Sequence, residues 1–236
     1  GHAWICENKL VFDVQSVYTT SKQVKRIKGH VVELQFINSS KPKIKVPNVY
    51  GHANYYRDSD PNKWIEMATM CDELTLNDAY QGIDLRYYFD NKMLRYDFIA
   101  APNANLDLIT LQLNGADFKL SSDKKAFLIK TSLGELSHGS LFTYQIIEGQ
   151  KVEIESNFVL KNDNDLGFEC KNYRKDLPII IDPIIYSTYI GGAGNQPESV
   201  NDVVVERKLL GPERAYIVGS TSSSVQFPTT IGAYDN

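Results

Sequence analysis

Along most of this chain hydrophobic and polar residues alternate with a period of two: short runs rich in Val, Ile, Tyr, Phe and Thr are cut by Gly, Pro, Asn and Asp clusters. That is the pattern of half-buried strands and not of amphipathic helices. Strands are expected at 10–17, 30–37, 43–46, 51–56, 82–89, 93–100, 106–113, 118–121, 126–131, 142–147, 151–160, 167–171, 179–181, 184–189, 200–206 and 215–220. Turn residues such as Asn114-Gly115 and Glu148-Gly149-Gln150 separate them. Only residues 60–68 carry a helical signal. Asp60 can cap, Pro61 suits the first helical position, and Trp64 and Met67 would share a face, although a single turn satisfies the same residues.

The most legible local unit is the hairpin from Ile83 to Phe98. A two-residue Asp90-Asn91 turn would set Asp84 opposite Asp97, with Arg95 and Arg86 on the diagonals. Ile83, Leu85, Tyr87 and Phe89 would face inward with Leu94, Tyr96 and Phe98, leaving the charges as a solvent-facing ladder. Two facing carboxylates also suit the acid and nucleophile of a retaining glycosidase, but flanking guanidinium groups would keep both ionised where the acid needs a raised pKa.

Composition narrows the class. The 236 residues are 42% hydrophobic and carry 25 Lys+Arg against 29 Asp+Glu, a net charge of −4. The chain can bury a substantial core as one large β domain or two smaller units, and intrinsic disorder is not expected. No basic stripe invites nucleic acid. The longest apolar run, 177–185, contains Pro178, Asp182 and Pro183 and is far shorter than the roughly 20 residues of a membrane helix. Cys6, Cys71 and Cys170 form no CxxC pair or zinc spacing and read as packed thiols or one incidental bridge. The chain starts at Gly1 with no signal-peptide pattern, as a processed or truncated chain would.

Candidate chemistry is sparse. His2, His30, His52 and His138 lack the spacing of a helical metal site, and no HExxH is present. Ser137 and Ser140 flank His138, but without the strained GxSxG elbow of a serine hydrolase the stretch reads as a turn. Asn162-Asp163-Asn164-Asp165 lacks the EF-hand glycine and distal glutamate and reads as a polar hairpin loop. Gly191-Gly192-Ala193-Gly194 has no GK[ST] downstream, so nucleotide binding is set aside. No catalytic, cofactor or metal residue is assigned, and no cofactor is expected.

The C-terminal segment Ile184-Ile-Tyr-Ser-Thr-Tyr-Ile-Gly-Gly192, with Val203-Val-Val-Glu206, Ala215-Tyr-Ile-Val-Gly-Ser220 and Phe227-Pro-Thr-Thr-Ile-Gly-Ala-Tyr234, resembles the bacterial SBBP β-propeller repeat. Upstream, Asn54-Tyr55-Tyr56, Asp60-Pro61-Asn62-Lys63-Trp64, Tyr80 through Tyr88, Leu94-Arg-Tyr-Asp-Phe98, Leu133-Gly134-Glu135 and Ile179-Ile-Ile-Asp-Pro183 are similar to the uncharacterised domain that commonly precedes these repeats. The resemblance implies a Bacteroidetes-type secreted or cell-surface protein, often exported by type IX secretion. Two departures stand out: the blade hairpin is extended through residues 207–214, and Asn195-Gln196 replaces the usual acidic pair.

The expected fold is therefore all-β: a β-sandwich-like N-terminal domain over residues 1–183, then the start of a β-propeller, one partial SBBP blade, over 184–236. A lone blade cannot bury both faces, so the chain reads as a fragment. Residues 184–189 would be an outer blade strand completed by later repeats. The expected function is a non-enzymatic extracellular scaffold, serving adhesion or assembly in a larger surface protein. Its partners would be other domains of the same chain, surface proteins or a glycan. The alternative is a carbohydrate-binding or glycoside-cleaving module, with Trp64 or Tyr55 stacking on sugar faces.

Overall fold

In the computed structural model the described residues are 2–19, 25–56, 59–90, 93–183, 198–206 and 214–221. The chain divides into two compact units, Gly1–Tyr186 and Ser187–Asn236. The described residues form twenty strands, numbered β1 to β20 in chain order, and two short 3-10 turns, with no α-helix among them. The fold is all-β, and every strand pairing is antiparallel.

Two sheets dominate the first unit. One runs β1 (His2–Ile5), β2 (Lys9–Thr19), β3 (Lys25–Phe36), β10 (Leu111–Asn114), β17 (Asp165–Cys170), β16 (Ser156–Leu160). The other runs β15 (Gln150–Ile154), β14 (Leu141–Ile147), β18 (Ile179–Pro183), β9 (Met93–Ala100), β8 (Ile83–Asp90), β7 (Glu73–Tyr80), β4 (Lys43–Lys45). Alternation sends Val32, Leu34 and Phe36 of β3 inward against Ile83, Leu85 and Tyr87 of β8 and Tyr96 and Phe98 of β9, all essentially buried. Aromatic rings join the layers: the Phe98 ring centroid lies 5.9 Å from Phe36 and 5.7 Å from Phe168. The result is a sandwich with one core.

A three-stranded sheet, β11 (Asp117–Leu120), β12 (Ala126–Thr131), β13 (Gly134–Gly139), adds Phe127 and Ile129 to that core. Apart from both layers stands a two-stranded ribbon, β5 (Gly51–Tyr55) and β6 (Ile65–Met70). In the second unit β19 (Glu198–Glu206) pairs with β20 (Arg214–Thr221), with a register shift between Val200 and Asp202. Residues 184–189, expected as an outer blade strand, lie outside the described residues.

Several expectations need correction. Residues 60–68 are no helix: Pro61–Lys63 is a single 3-10 turn capped by Asp60, whose carboxylate accepts from the Asn62 N–H, and β6 follows. The run 106–113 starts with a 3-10 turn, Leu106–Leu108, before β10. The run 151–160 is two strands in different sheets, broken at Glu155. The segment around His138 is strand β13, not a turn. β1, β6, β7 and β13 were not foreseen.

The Asn114-Gly115 turn is tightly built. Gly115 has φ +87°, and a Cβ there would lie 2.5 Å from the Val31 carbonyl oxygen. Because both the backbone angle and a main-chain atom oppose a side chain, Gly115→Ala is expected to cost about 2 kcal/mol. Urea denaturation would measure it, and an unchanged midpoint would contradict this account of the turn.

Candidate functional site

The charged hairpin forms in a register different from the expected one. Arg86 lies opposite Asp97 and Tyr88 opposite Arg95, while Asp84 lies opposite Ile99. Asp90 lies opposite Met93, and the two-residue shift in register preserves the inward face while separating the two aspartates. Asp84 accepts from the Asp78 N–H at 2.8 Å. Asp97 is paired with Arg86 and accepts from the Tyr88 hydroxyl at 3.3 Å. Arg95 bridges Asp90, at 2.9 Å, and Asp182.

This ladder is not solvent-facing. Asp97 is 1% exposed and Asp182 4%. The Arg86 guanidinium lies 4.6 Å from the Tyr88 ring centroid, so the charged ends close over the carboxylates they neutralise. Burial pushes the Asp97 carboxyl above the ordinary carboxylate range, with Arg86 opposing that rise. A raised carboxyl can serve an acid, but this one is sealed by its own partners. The cluster ties β8, β9 and β18 together.

His138 is buried: its ring stacks on Phe127 at 4.3 Å and its Nε2 lies 3.1 Å from the Tyr96 hydroxyl. Burial lowers its pKa to about 3. Alternation along β13 sends Ser137 to the face opposite His138. His30 is a structural clip: its Nδ1 accepts from the Ser132 N–H at 3.1 Å, which leaves the proton on Nε2 to reach the Gly115 carbonyl at 2.8 Å. His52 lies on the exposed ribbon opposite Thr69. Among the described residues no group of three or more His, Cys, Asp or Glu is placed to hold a metal ion.

The 162–165 loop engages the side-chain oxygens of Asn162 and Asp165. Asn162 accepts from the N–H groups of Asn164 and Asp165, and the Asp165 carboxylate is held by Asn162 and Gln112. The three cysteines are free thiols, all half-buried, and burial pushes the Cys170 thiol up to about 12. The 191–194 glycines lie outside the described residues. A shallow cavity of about 320 Å³ is lined by Asn38, Ser40, Tyr80, Asp107 and Thr110. Tyr80 donates into the Thr110 carbonyl and Lys161 into the Thr110 hydroxyl, so several of its polar groups are already engaged.

What remains is the ribbon. Of the eighteen large hydrophobic residues exposed among the described residues, eight lie between positions 49 and 70: Val49, Tyr50, Tyr55, Tyr56, Trp64, Ile65, Met67 and Met70. Such clustering marks an interaction surface, where scattered single residues would not. Tyr55 and Trp64 are 42% and 40% exposed, so neither is a core ring. Trp64 meets Tyr56 edge to face at 5.0 Å, and the Tyr56 hydroxyl donates to Glu66 at 3.1 Å.

Cross-strand pairs Gly51/Met70, Ala53/Ala68 and Tyr55/Ile65 share one face. His52, Asn54, Glu66 and Thr69 belong to the polar positions between them. A bulge between Ala53 and Tyr55 puts Met67 at φ +55°, with its N–H bonded to the Asn54 side chain at 2.7 Å. That bulge hides the strand from pattern reading, because it breaks the alternation of Ile65, Ala68 and Met70. The apolar pairs on either side of it were the signal that could have found the ribbon.

No helix among the described residues is long and apolar enough to cross a membrane. One family, described as a domain of unknown function (DUF7948), matches residues 4–184. No curated protein and no solved structure matches the chain.

Proposed function

We propose, for a chain that belongs to the DUF7948 family, that it is a non-enzymatic assembly or adhesion module of a longer secreted or cell-surface bacterial protein, with the β5–β6 ribbon as its contact element. The observation that carries this reading is the division of labour on the first unit. Its buried titratable groups Asp97, His138, Tyr87 and Tyr96 are consumed in packing, while exposed apolar side chains cluster on and beside one ribbon. A catalytic centre needs the reverse arrangement, with tuned groups open to substrate. The likeness of residues 184–234 to SBBP repeats supports a place ahead of a β-propeller in a Bacteroidetes-type surface protein.

The test is a turnover screen of the purified chain against glycan, ester and peptide substrates. No turnover is expected, and activity abolished by changing Asp97 or His138 without loss of folding would sink the proposal. A second reading, carbohydrate binding, draws on the exposed Tyr56–Trp64 pair. Glycan-array binding that disappears in Trp64→Ala would favour it.

A further inference from the structure

The ribbon has two unlike sides, and one of them mixes aromatic rings with hydrogen-bonding groups. The extra residue of the bulge is on β6, so alternation along β5 is unbroken and His52, Asn54 and Tyr56 share the side away from Ala53 and Tyr55. From the facing chain the same side receives Thr69, which pairs with His52, and Trp64 and Glu66, which flank the Ile65 that pairs with Tyr55. The contacts agree, since the Tyr56 ring meets Trp64 and its hydroxyl donates to Glu66. We propose that this side is a binding strip for an uncharged, linear glycan of pyranose rings, with Tyr56 and Trp64 as its stacking platform and Glu66 as its hydroxyl acceptor. The proposal rests on the carbohydrate reading above and deepens it.

Three observations select this ligand. The first is the mixture itself. Tyr56 is 55% and Trp64 40% exposed, and His52, Asn54, Glu66 and Thr69 beside them are exposed as well. An apolar protein surface pressed here would seal in the Glu66 carboxylate, for which the Tyr56 hydroxyl is the one side-chain donor among the described residues, at a high desolvation cost. A pyranose turns its C–H groups to a ring face and its hydroxyls outward, so it meets the rings and the carboxylate together.

The second is charge. Glu66 is the charged side chain in contact with the platform, so it draws O–H donors and repels the carboxylate of an acidic sugar. The third is preparation. Tyr56 and Trp64 already stand edge to face at 5.0 Å, and the Tyr56 hydroxyl is tied to Glu66 at 3.1 Å, so little side-chain freedom is lost on binding. From residue 52 to residue 56 the strip runs about 13 Å, more than one pyranose ring.

Isothermal titration calorimetry of the full 236-residue chain tests this with neutral cellohexaose, mannohexaose and xylohexaose, the anionic hexamer of galacturonic acid, and hexalysine, whose ammonium groups could also meet the rings and Glu66. At least one neutral hexamer should bind, and more tightly than the galacturonate or hexalysine. Trp64→Ala should weaken that binding at least about tenfold. Glu66→Gln keeps the shape and removes the charge, so the preference for the neutral hexamer over the galacturonate should shrink roughly fivefold. Ile65→Ser, on the other side of the ribbon, should leave binding unchanged. Thermal melting should be unchanged in all three variants, since none of these positions belongs to the sandwich core.

Hexalysine bound tightest overturns the proposal, as does neutral-hexamer binding that Ile65→Ser abolishes and Trp64→Ala leaves intact. Galacturonate bound at least as tightly as every neutral hexamer, and lost in Trp64→Ala, overturns the uncharged ligand while the carbohydrate reading stands. Binding of none of the five probes overturns both, so the two failures are distinguishable.

Discussion

Replacing Phe98 by Ala is expected to lower the unfolding free energy by about 3–5 kcal/mol, the range for removing a large aromatic from a packed core. Phe98 is fully buried on β9, and its ring meets Phe36 and Phe168 from the opposite sheet and Tyr80 and Tyr96 from its own. Its loss leaves a cavity at the junction of the two layers, bordered by strands that are hydrogen-bonded on both sides and cannot collapse freely. Phe89→Ala is the matched control. Phe89 has the same chemistry on the neighbouring strand and the same alternation parity, yet it is 58% exposed, so its loss should cost no more than about 0.5 kcal/mol. Denaturant midpoints of the two variants measured together decide the matter. Similar losses at the two positions would mean that the sandwich junction is not the centre of the core.

That contrast shows how far the chain could be read without coordinates. Alternation placed Ile83, Leu85, Tyr87, Tyr96 and Phe98 inside correctly, because a strand with one buried face has only two choices. It placed Phe89 inside as well, since parity carries no information about where a sheet runs out. The same limit explains the charged hairpin. Shifting the register by two residues changes every partner while leaving both faces intact, so Arg86 rather than Asp84 came to face Asp97. Burial of the resulting ion pair depends on Tyr88 lying beside Arg86 and on β18 supplying Asp182, a contact between residues 87 positions apart that no local pattern encodes.

The ribbon was legible in pieces. Asp60 and Pro61 announced their turn correctly, but the bulge at Met67 hid the strand behind it. The break at Glu155 is of the same kind: 151–160 reads as one alternating run because the two strands meeting there both continue the period, though they belong to different sheets. The stretch around His138 was read as a turn for want of a GxSxG elbow, and the burial of the ring was not foreseen. Its neighbours Leu136, Ser137 and Gly139 make an unremarkable strand, and the rings that enclose it come from Tyr96, Phe127 and Phe158.

That burial makes the stability of the first unit depend on acid in a predictable way. In the unfolded chain His138 takes up its proton near the ordinary value of 6.5, whereas in the fold burial lowers its pKa to about 3. Between those values the unfolded state holds a proton that the folded state refuses, so stability is complete above the upper value and falls as pH drops through the window. The expected slope is about 1.4 kcal/mol per pH unit from this residue. Asp97 acts in the opposite sense, because burial raises its pKa and low pH then favours the fold. A variant must therefore isolate the histidine. His138→Phe keeps an aromatic ring stacked on Phe127 and removes the proton site, at a cost of about 1–3 kcal/mol at neutral pH for the Tyr96 hydroxyl left without its partner. Urea midpoints of both proteins from neutral pH down to about pH 4 give the difference directly, and carboxylates common to the two cancel. The gap between parent and variant should close as the pH falls and then reverse. A gap that stays constant across that range would show that His138 is protonated in the folded protein, and hence that its site is open to water.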